Sequence, residues 1–256
     1  MNVATARLIA GLIYLIALGA ATAVRAANEH APDIRFVESP NAIQPGIFDV
    51  PVIVDDPQDS RREEYRRIFW NAERSLYNFA HAQGWDQYMD KPFVKQVEIY
   101  DSKANFDKRL RELSGYDKTP IPKTFSAGIE KDIFFSVAPE IYAANYEDGR
   151  VVGAYEKLMV HELAHRLHVR LLDGNEERMG PMWFWEGFAT HVADQFPNNK
   201  EPSPAEVQQV LKAKERGSYR KYNAVFDYYM KQKNVSLADF IKHAGEPDFN
   251  EWLHAK

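Results

Sequence analysis

The sequence contains no cysteine among its 256 residues. Disulfide bonds, thiolate metal ligands and a cysteine nucleophile are therefore excluded, and any metal site must use histidine and carboxylate side chains. A dense basic block is also lacking and the formal net charge is −5, so the charge pattern does not favour nucleic acid or an anionic membrane surface as a partner. The length and the 45% hydrophobic content fit a globular domain whose core needs no disulfides.

Long apolar runs are scarce as well, with one exception near the N-terminus. Arg7 precedes an apolar run over residues 8–23, and small residues follow that run. This layout is typical of a secretory signal peptide within residues 1–26, with cleavage after Ala23 or Ala26. We therefore predict that the mature protein is exported to the periplasm or secreted, without being embedded in a membrane. The alternative is an anchor formed by residues 8–23, a run shorter than the ~20 residues that span a bilayer.

The rest of the chain divides into three segments. Residues 27–58 contain scattered prolines and little periodicity, which predicts a loop-rich extension with one strand near residues 47–54. Residues 59–256 form the predicted main domain, in which residues 59–152 mix helical and strand patterns and residues 153–256 are helical. We therefore predict an α+β protein with a small mixed sheet, helices in front of it and a helical C-terminal half.

The predicted elements follow from hydrophobic spacing and from capping residues. A strand is expected at residues 93–102, and a pair of strands at residues 124–139 turns around residues 130–132. The predicted helices cover residues 60–82, 103–115, 153–172, 181–196, 203–216, 219–231, 236–244 and 247–255.

The most informative stretch for chemistry is VHELAHRLHVRL, at residues 160–171. His161 and His165 are four residues apart, so a helix places them on one face about 6 Å apart along its axis. Glu162 lies ~100° further round the helix, close to the two histidines but turned away from them. The neighbouring residues are apolar, which predicts a buried site, and buried polar groups need partners. This His-Glu-x-x-His spacing predicts a metal site of the zinc-peptidase kind.

A zinc site of this kind needs a third protein ligand and an open position. His168 lies on the same helix face but ~10 Å along the axis from His161, too far to share one ion, so we assign it a structural or substrate-facing role. Glu186 lies on the next predicted helix, ~8 Å from the intervening turn, and His165 lies ~10 Å from that turn. These matching heights predict Glu186 as the third ligand.

Two motifs together resemble a known family. HELAH at residues 161–165 and WFWEGFAT at residues 183–190 resemble the gluzincin metallopeptidases, in particular the peptidase MA-like group related to aminopeptidase N. The resemblance extends from about residue 94 to the C-terminus. It implies a zincin-like metallopeptidase fold and one Zn²⁺ ion held by His161, His165 and Glu186. The Gly-Ala-Met-Glu-Asn motif of the aminopeptidases is absent, which leaves endopeptidase and exopeptidase action both open.

The resemblance also implies catalytic roles. Glu162 would act as the general base for a zinc-activated water that attacks a peptide bond. Members of the family carry a tyrosine in a Tyr-x-Lys-Gly-like segment that donates a hydrogen bond to the oxyanion. Tyr219 matches the Tyr-x-Lys spacing, while Tyr222 replaces the glycine, so both tyrosines remain candidates. The stretch SAGIEKDIFFSVAP at residues 126–139 resembles the edge strand that such enzymes lay beside a substrate.

These observations predict a zinc-dependent metallopeptidase that acts on a peptide or protein substrate. The alternative is a catalytically silent binding or assembly protein on a zinc-peptidase scaffold. The presence of Glu162 favours the enzyme, because zinc binding by itself does not require this residue.

Overall fold

A computed structural model of the protein describes residues 47–55, 60–115, 120–213 and 215–256. The predicted signal peptide, and the predicted extension up to residue 46, lie outside the described residues. The described chain forms two compact units, residues 47–163 and residues 164–256. Within the described ranges, no helix is both long enough and apolar enough to cross a membrane.

The first unit is built on a mixed sheet of four strands. The strands are β1 (Val52–Val54), β2 (Gln96–Tyr100), β3 (Ala127–Glu130) and β4 (Ile133–Val137). Their order across the sheet is β1-β2-β4-β3, with β1, β2 and β4 parallel and β3 antiparallel to β4. Lys131 and Asp132 connect β3 to β4 with φ values of 51° and 62°, a backbone twist that suits a two-residue hairpin. The hairpin predicted around residues 130–132 is therefore confirmed.

Helices cover both faces of this sheet. They are α1 (Arg62–Ala82), α2 (Lys103–Ser114) and α3 (Pro139–Asn145). Phe134 and Phe135 are consecutive on β4 and so point to opposite faces. The Phe69 ring of α1 lies 5.9 Å from that of Phe134, and the Phe106 ring of α2 lies 5.3 Å from that of Phe135. Helices α1 and α2 therefore pack on opposite sides of β4.

Helices α1 and α2 confirm two predictions, and α3 was not predicted. The hydroxyl of Ser102 accepts a hydrogen bond from the backbone N–H of Asn105 and caps α2, and Gly115 ends that helix with φ 69°. Helix α3 has only seven residues, too few for a clear periodic pattern. Its available sequence signal is Pro139 at the first helical position.

Helix α4 (Ala154–Leu171) begins in the first unit and continues into the second, which is otherwise helical. The further helices are α5 (Met182–Val192), α6 (Pro204–Lys212), α7 (Tyr219–Lys231), α8 (Leu237–Ala244) and α9 (Phe249–His254). Aromatic side chains dominate the core of the second unit, where the Phe240 ring lies 4.8 Å from Phe184 and 4.9 Å from Phe226. The α+β class, the small mixed sheet and the helical C-terminal half are thus confirmed.

Helices α5 and α7 approach each other closely at Gly187. A Cβ atom at this position would lie 2.9 Å from the Cβ of Phe226 and 3.1 Å from the backbone oxygen of Tyr222. These separations are shorter than van der Waals contact, so a larger residue would push α7 away from α5. Gly187 therefore brings the start of α7 close to the segment of α5 that carries Glu186.

Candidate metal centre

Helix α4 buries the two histidines of the His-Glu-x-x-His stretch. His161 and His165 are each 4% exposed, and Met159, Leu163 and Ala164 beside them are fully buried. The helix is continuous from Ala154 to Leu171, so the two rings lie on one face as their four-residue spacing predicts. The apolar surroundings keep water away from both imidazoles.

Glu186 lies on α5 and joins the two histidines. Each of the three residues offers one ligand atom, and these atoms all lie within 4.8 Å of one another. The Nε2 atom of His165 is 3.5 Å from Oε2 of Glu186. Glu186 is 2% exposed, so this carboxylate is withdrawn from water. Among the described residues, this is the group of histidine and carboxylate side chains that could hold a metal ion.

The donor set fits a zinc ion. Zinc binds imidazole nitrogen and carboxylate oxygen at about 2.1 Å, and tetrahedral angles then place two ligand atoms ~3.4 Å apart. The 3.5 Å between Nε2 of His165 and Oε2 of Glu186 matches that separation. It also exceeds the usual length of a hydrogen bond to a carboxylate. Two imidazoles and one carboxylate leave a fourth position open, as in catalytic zinc sites.

Glu162 follows His161 directly on α4 and is only half-buried. It therefore keeps some contact with solvent, unlike the three buried residues of the group. Tyr142 of α3 lies close enough to Glu162 for the charge of that carboxylate to affect the pKa of the phenol. Burial raises the pKa of the Tyr142 phenol, and electrostatic interaction with Tyr146 and with the carboxylates of Asp148 and Glu162 raises it further. Tyr142 consequently keeps its proton throughout the neutral pH range.

Arg216 was not identified from the sequence, although it contacts Glu186 directly. Its Nη2 atom donates a hydrogen bond to Oε1 of Glu186 at 3.2 Å. The guanidinium also lies over the ring of Tyr219, with its central carbon 5.0 Å from the ring centroid. The sequence pattern placed Arg216 at the end of a helix over residues 203–216, but that helix, α6, ends at Lys212, and Arg216 lies beyond it, before α7. A single arginine at such a position cannot be distinguished by sequence from ordinary surface charge.

The two candidate tyrosines occupy different environments on α7. Tyr219 is the first residue of the helix and is partly exposed, next to Arg216. Tyr222 is 2% exposed, and its hydroxyl accepts a very short hydrogen bond from the backbone N–H of Gly217. Burial raises the pKa of the Tyr222 phenol, and the charge of Glu186 raises it further, against the opposite effect of Gly217 and Arg216. Tyr219 is thus linked to Glu186 by Arg216, which contacts both residues. Tyr222 lies close enough to Glu186 for the carboxylate charge to affect its pKa.

His168 is separate from the metal group. It is fully buried, and neither of its ring nitrogens has a hydrogen-bond partner. Its ring lies 4.8 Å from that of Phe188 and 5.7 Å from that of Phe184. Burial lowers the pKa of His168 to about 3, with a smaller effect from His165. His168 is therefore a neutral packing residue, which agrees with the structural role that its position along α4 predicts.

Comparison with protein families, with curated proteins and with solved structures found no match to this chain. The geometry of the site therefore carries the functional argument.

Proposed function

We propose that this chain is a zinc-dependent metallopeptidase with a zincin-like fold that hydrolyses peptide bonds. The convergence of His161, His165 and Glu186 into one buried group carries the proposal. Burying three polar side chains against apolar neighbours is costly unless they share a partner, and a divalent cation supplies that partner. Zinc suits the set because the ligands are two imidazoles and a carboxylate without thiolate.

Glu162 is the proposed general base. A bound zinc ion would polarise the scissile carbonyl and lower the pKa of a water molecule. Glu162 then accepts a proton from the attacking water and delivers it to the leaving amine. Its half-buried position beside His161 supports this role, because the carboxylate has access to solvent and to substrate.

Tyr219 is the proposed oxyanion donor. Its position at the start of α7, with Arg216 between its ring and Glu186, supports this role. A phenol aimed at the developing oxyanion stabilises mainly the transition state. Tyr222 is the alternative donor; its hydroxyl accepts a hydrogen bond from Gly217 and donates its proton to Sδ of Met182 at 3.9 Å.

Strand β3 is the proposed substrate-binding edge. Among the described strands it lies at the end of the sheet, next to β4 and antiparallel to it, the position at which an extended peptide can add as a further strand. The resemblance to gluzincins places a substrate beside such an edge strand. The order of the elements, a mixed sheet followed by a helical half, supports the proposed zincin-like fold.

A catalytically silent binding protein on this scaffold is the second candidate. The ion pair between Arg216 and Glu186 favours it, because the arginine supplies a charge partner to the buried carboxylate without any metal. Oε2 of Glu186 faces His165, which keeps a metal site open to either candidate. The enzyme is preferred because Glu162 is present, and zinc binding by itself does not require this residue.

One experiment separates the two candidates. Purified protein lacking residues 1–26 is incubated with a denatured protein mixture, and new amino termini are measured before and after chelation and after zinc is restored. We expect about one zinc ion per chain and hydrolysis that requires it. Glu162→Gln should retain zinc and slow hydrolysis by ~10²–10⁴-fold, whereas Glu156→Gln on the same helix serves as the matched control.

Three results would contradict the enzyme. Zinc-loaded protein that cleaves nothing in the mixture favours the silent binding protein. A zinc content below a tenth of an equivalent (roughly, allowing for loss during purification) removes the metal site. Hydrolysis at the wild-type rate by the Glu162→Gln variant would show that Glu162 is not the general base.

A further inference from the structure

Arg216 is partly exposed, and it is the charge partner of the buried carboxylate of Glu186. One third of the Arg216 side chain is exposed, against 3% of the Glu186 side chain. The hydrogen bond between them is charge-assisted, and such bonds are stronger and more directional than neutral ones. The orientation of the Glu186 carboxylate therefore depends on where the guanidinium is held.

The two oxygens of Glu186 have different neighbours. Oε1 accepts the hydrogen bond from Nη2 of Arg216 at 3.2 Å, while Oε2 lies 3.5 Å from Nε2 of His165. A carboxylate that rotated to offer both oxygens to an ion would have to break the contact with Arg216. The arrangement thus favours a carboxylate that presents one oxygen to the histidines.

A second contact fixes the guanidinium from another side. Its central carbon lies 5.0 Å from the centroid of the Tyr219 ring, which is a cation–π contact. The next residue, Gly217, donates its backbone N–H to the hydroxyl of Tyr222. The arginine is therefore held by a side-chain ring and by its own anchored backbone, which restricts the positions it can offer to Glu186.

We propose that Arg216 is a positioning residue that holds Glu186 as a one-oxygen metal ligand. This inference rests on the proposed metal site but not on peptidase activity. It assigns Arg216 no contact with substrate or with the ion. Its role is to keep Glu186 Oε2 directed at the position that His161 and His165 share.

Coulomb energy and orientation predict opposite effects of removing Arg216. Loss of a positive charge near a divalent cation should by itself tighten metal binding. Loss of the hydrogen bond that orients a ligand should weaken it, typically by about 10–100-fold for partners of this kind. Weaker binding in an Arg216 variant would therefore isolate the orientation effect.

The test compares Arg216→Gln and Arg216→Lys with the wild-type protein. Zinc affinity is measured by chelator competition, and Co²⁺ is substituted so that its visible absorption reports the coordination number. We expect Arg216→Gln to weaken zinc binding by about 10–100-fold and to reduce the intensity of the Co²⁺ bands, since a four-coordinate centre absorbs more strongly than a five-coordinate one. Arg216→Lys should recover little of either signal, because a point charge lacks the planar donor geometry.

The matched control is Arg178→Gln. Arg178 is an exposed arginine of the second unit that pairs with Glu246 at 3.5 Å, so its removal changes the net charge equally. We expect wild-type zinc affinity and a wild-type Co²⁺ spectrum for this variant.

The possible failures are distinguishable. If the wild-type protein binds neither Zn²⁺ nor Co²⁺, the metal site itself is wrong. If the wild type binds both and Arg216→Gln matches it in affinity and spectrum, only the role of Arg216 is wrong. Full recovery by Arg216→Lys would show that the planar guanidinium is not required and would overturn the positioning role assigned to it. If Arg216→Gln does not fold, Arg216→Lys decides the question by the same two measurements.

Discussion

Glu98 on β2 and Glu186 on α5 are both buried carboxylates, with 4% and 2% of their surfaces exposed. Glu98 accepts two hydrogen bonds from Arg109, at 2.7 and 2.8 Å, one from Tyr100 at 2.6 Å and one from Gln96 at 2.7 Å. Both carboxylate oxygens of Glu98 thus accept hydrogen bonds from neighbouring side chains. Glu186 instead has Arg216 on one oxygen and an imidazole nitrogen at 3.5 Å from the other.

The difference separates a structural carboxylate from a candidate ligand. Four donors around Glu98 compensate for the loss of hydration and leave its lone pairs committed to the protein. The neighbour of Glu186 Oε2 is His165, whose nitrogen is itself a metal donor when neutral. Burial alone therefore does not identify a site, and the identity of the neighbouring atoms does. Substitutions at the two glutamates should consequently affect different properties.

Glu186→Gln should produce the largest change, and the change should be in metal binding. Loss of one of three ligands is expected to weaken zinc affinity on the order of 10³-fold, beyond the effect of an outer partner. The stability of the metal-free protein should change by less than about 1 kcal/mol, because the partly exposed Arg216 can hydrate. Chelator competition measures the zinc affinity, and thermal unfolding with and without zinc measures the stability. Unchanged zinc affinity would remove Glu186 from the ligand set.

Glu98→Ala should show the opposite behaviour. Removal of Glu98 leaves Tyr100, Gln96 and the partly exposed Arg109 without their shared acceptor, and we expect a loss of about 1–3 kcal/mol in the free energy of unfolding. Zinc affinity of the folded protein should stay at the wild-type value. Urea unfolding combined with chelator competition tests this expectation. A folded Glu98→Ala protein with weakened zinc binding would contradict the separation of the two carboxylates.

Tyr219→Phe should change turnover without changing either metal affinity or stability. The substitution keeps the ring beneath Arg216 and removes only the hydroxyl, so kcat is expected to fall by ~10²-fold, as for one lost oxyanion donor. Steady-state kinetics on a peptide substrate, with zinc content measured in parallel, is the test. Tyr228→Phe on the same helix is the control.

Tyr222→Phe decides the choice between the two candidate tyrosines. If this variant loses turnover and Tyr219→Phe does not, the donor is three residues further along α7. Wild-type kcat in both variants would place the oxyanion donor elsewhere.

Glu73→Gln should change only the pH dependence of stability, and it extends the comparison to a third buried glutamate. Glu73 accepts a hydrogen bond from the backbone N–H of Phe48 at 3.0 Å. Burial raises its pKa from 4.5 to about 8, opposed by the Phe48 bond and assisted by Asp49. The folded protein thus keeps this proton up to about pH 8, whereas the unfolded chain loses it above about pH 4.5.

The pH dependence of stability follows from that difference. Between pH 4.5 and 8 the folded state binds more protons than the unfolded state, so the contribution of Glu73 to stability is lost as pH rises. Glutamine carries no such proton, and we expect Glu73→Gln to be more stable than wild type at pH 8, by a margin that grows as the pH rises from 4.5. Urea unfolding at pH 4.5 and 8 measures this, and the two proteins should agree at the lower pH. An equal difference at both values would assign the effect to packing.

The sequence determined the elements that depend on local pattern. Hydrophobic spacing and capping residues predicted α1, α2 and the helices of the C-terminal half, because a helix buries a face that repeats every three to four residues. Residues 130–132 marked the hairpin. The four-residue spacing of His161 and His165 likewise determined their common face, since both lie on one helix. Helix α3 was not predicted, because seven residues are too few to show a clear hydrophobic periodicity.

Tertiary structure alone decided how Glu186 is held. The separation of 3.5 Å between its Oε2 atom and His165 depends on the packing of α4 and α5, and helix heights along the chain indicated only that such a contact was possible. Arg216 lies 30 residues beyond Glu186 in the chain, and no spacing rule links a loop residue to a helix at that distance. Its contact follows from the close approach of α7 to α5 at Gly187, where a side chain would not fit. Contacts of this kind arise from the shape of the packed helices, which local sequence patterns do not encode.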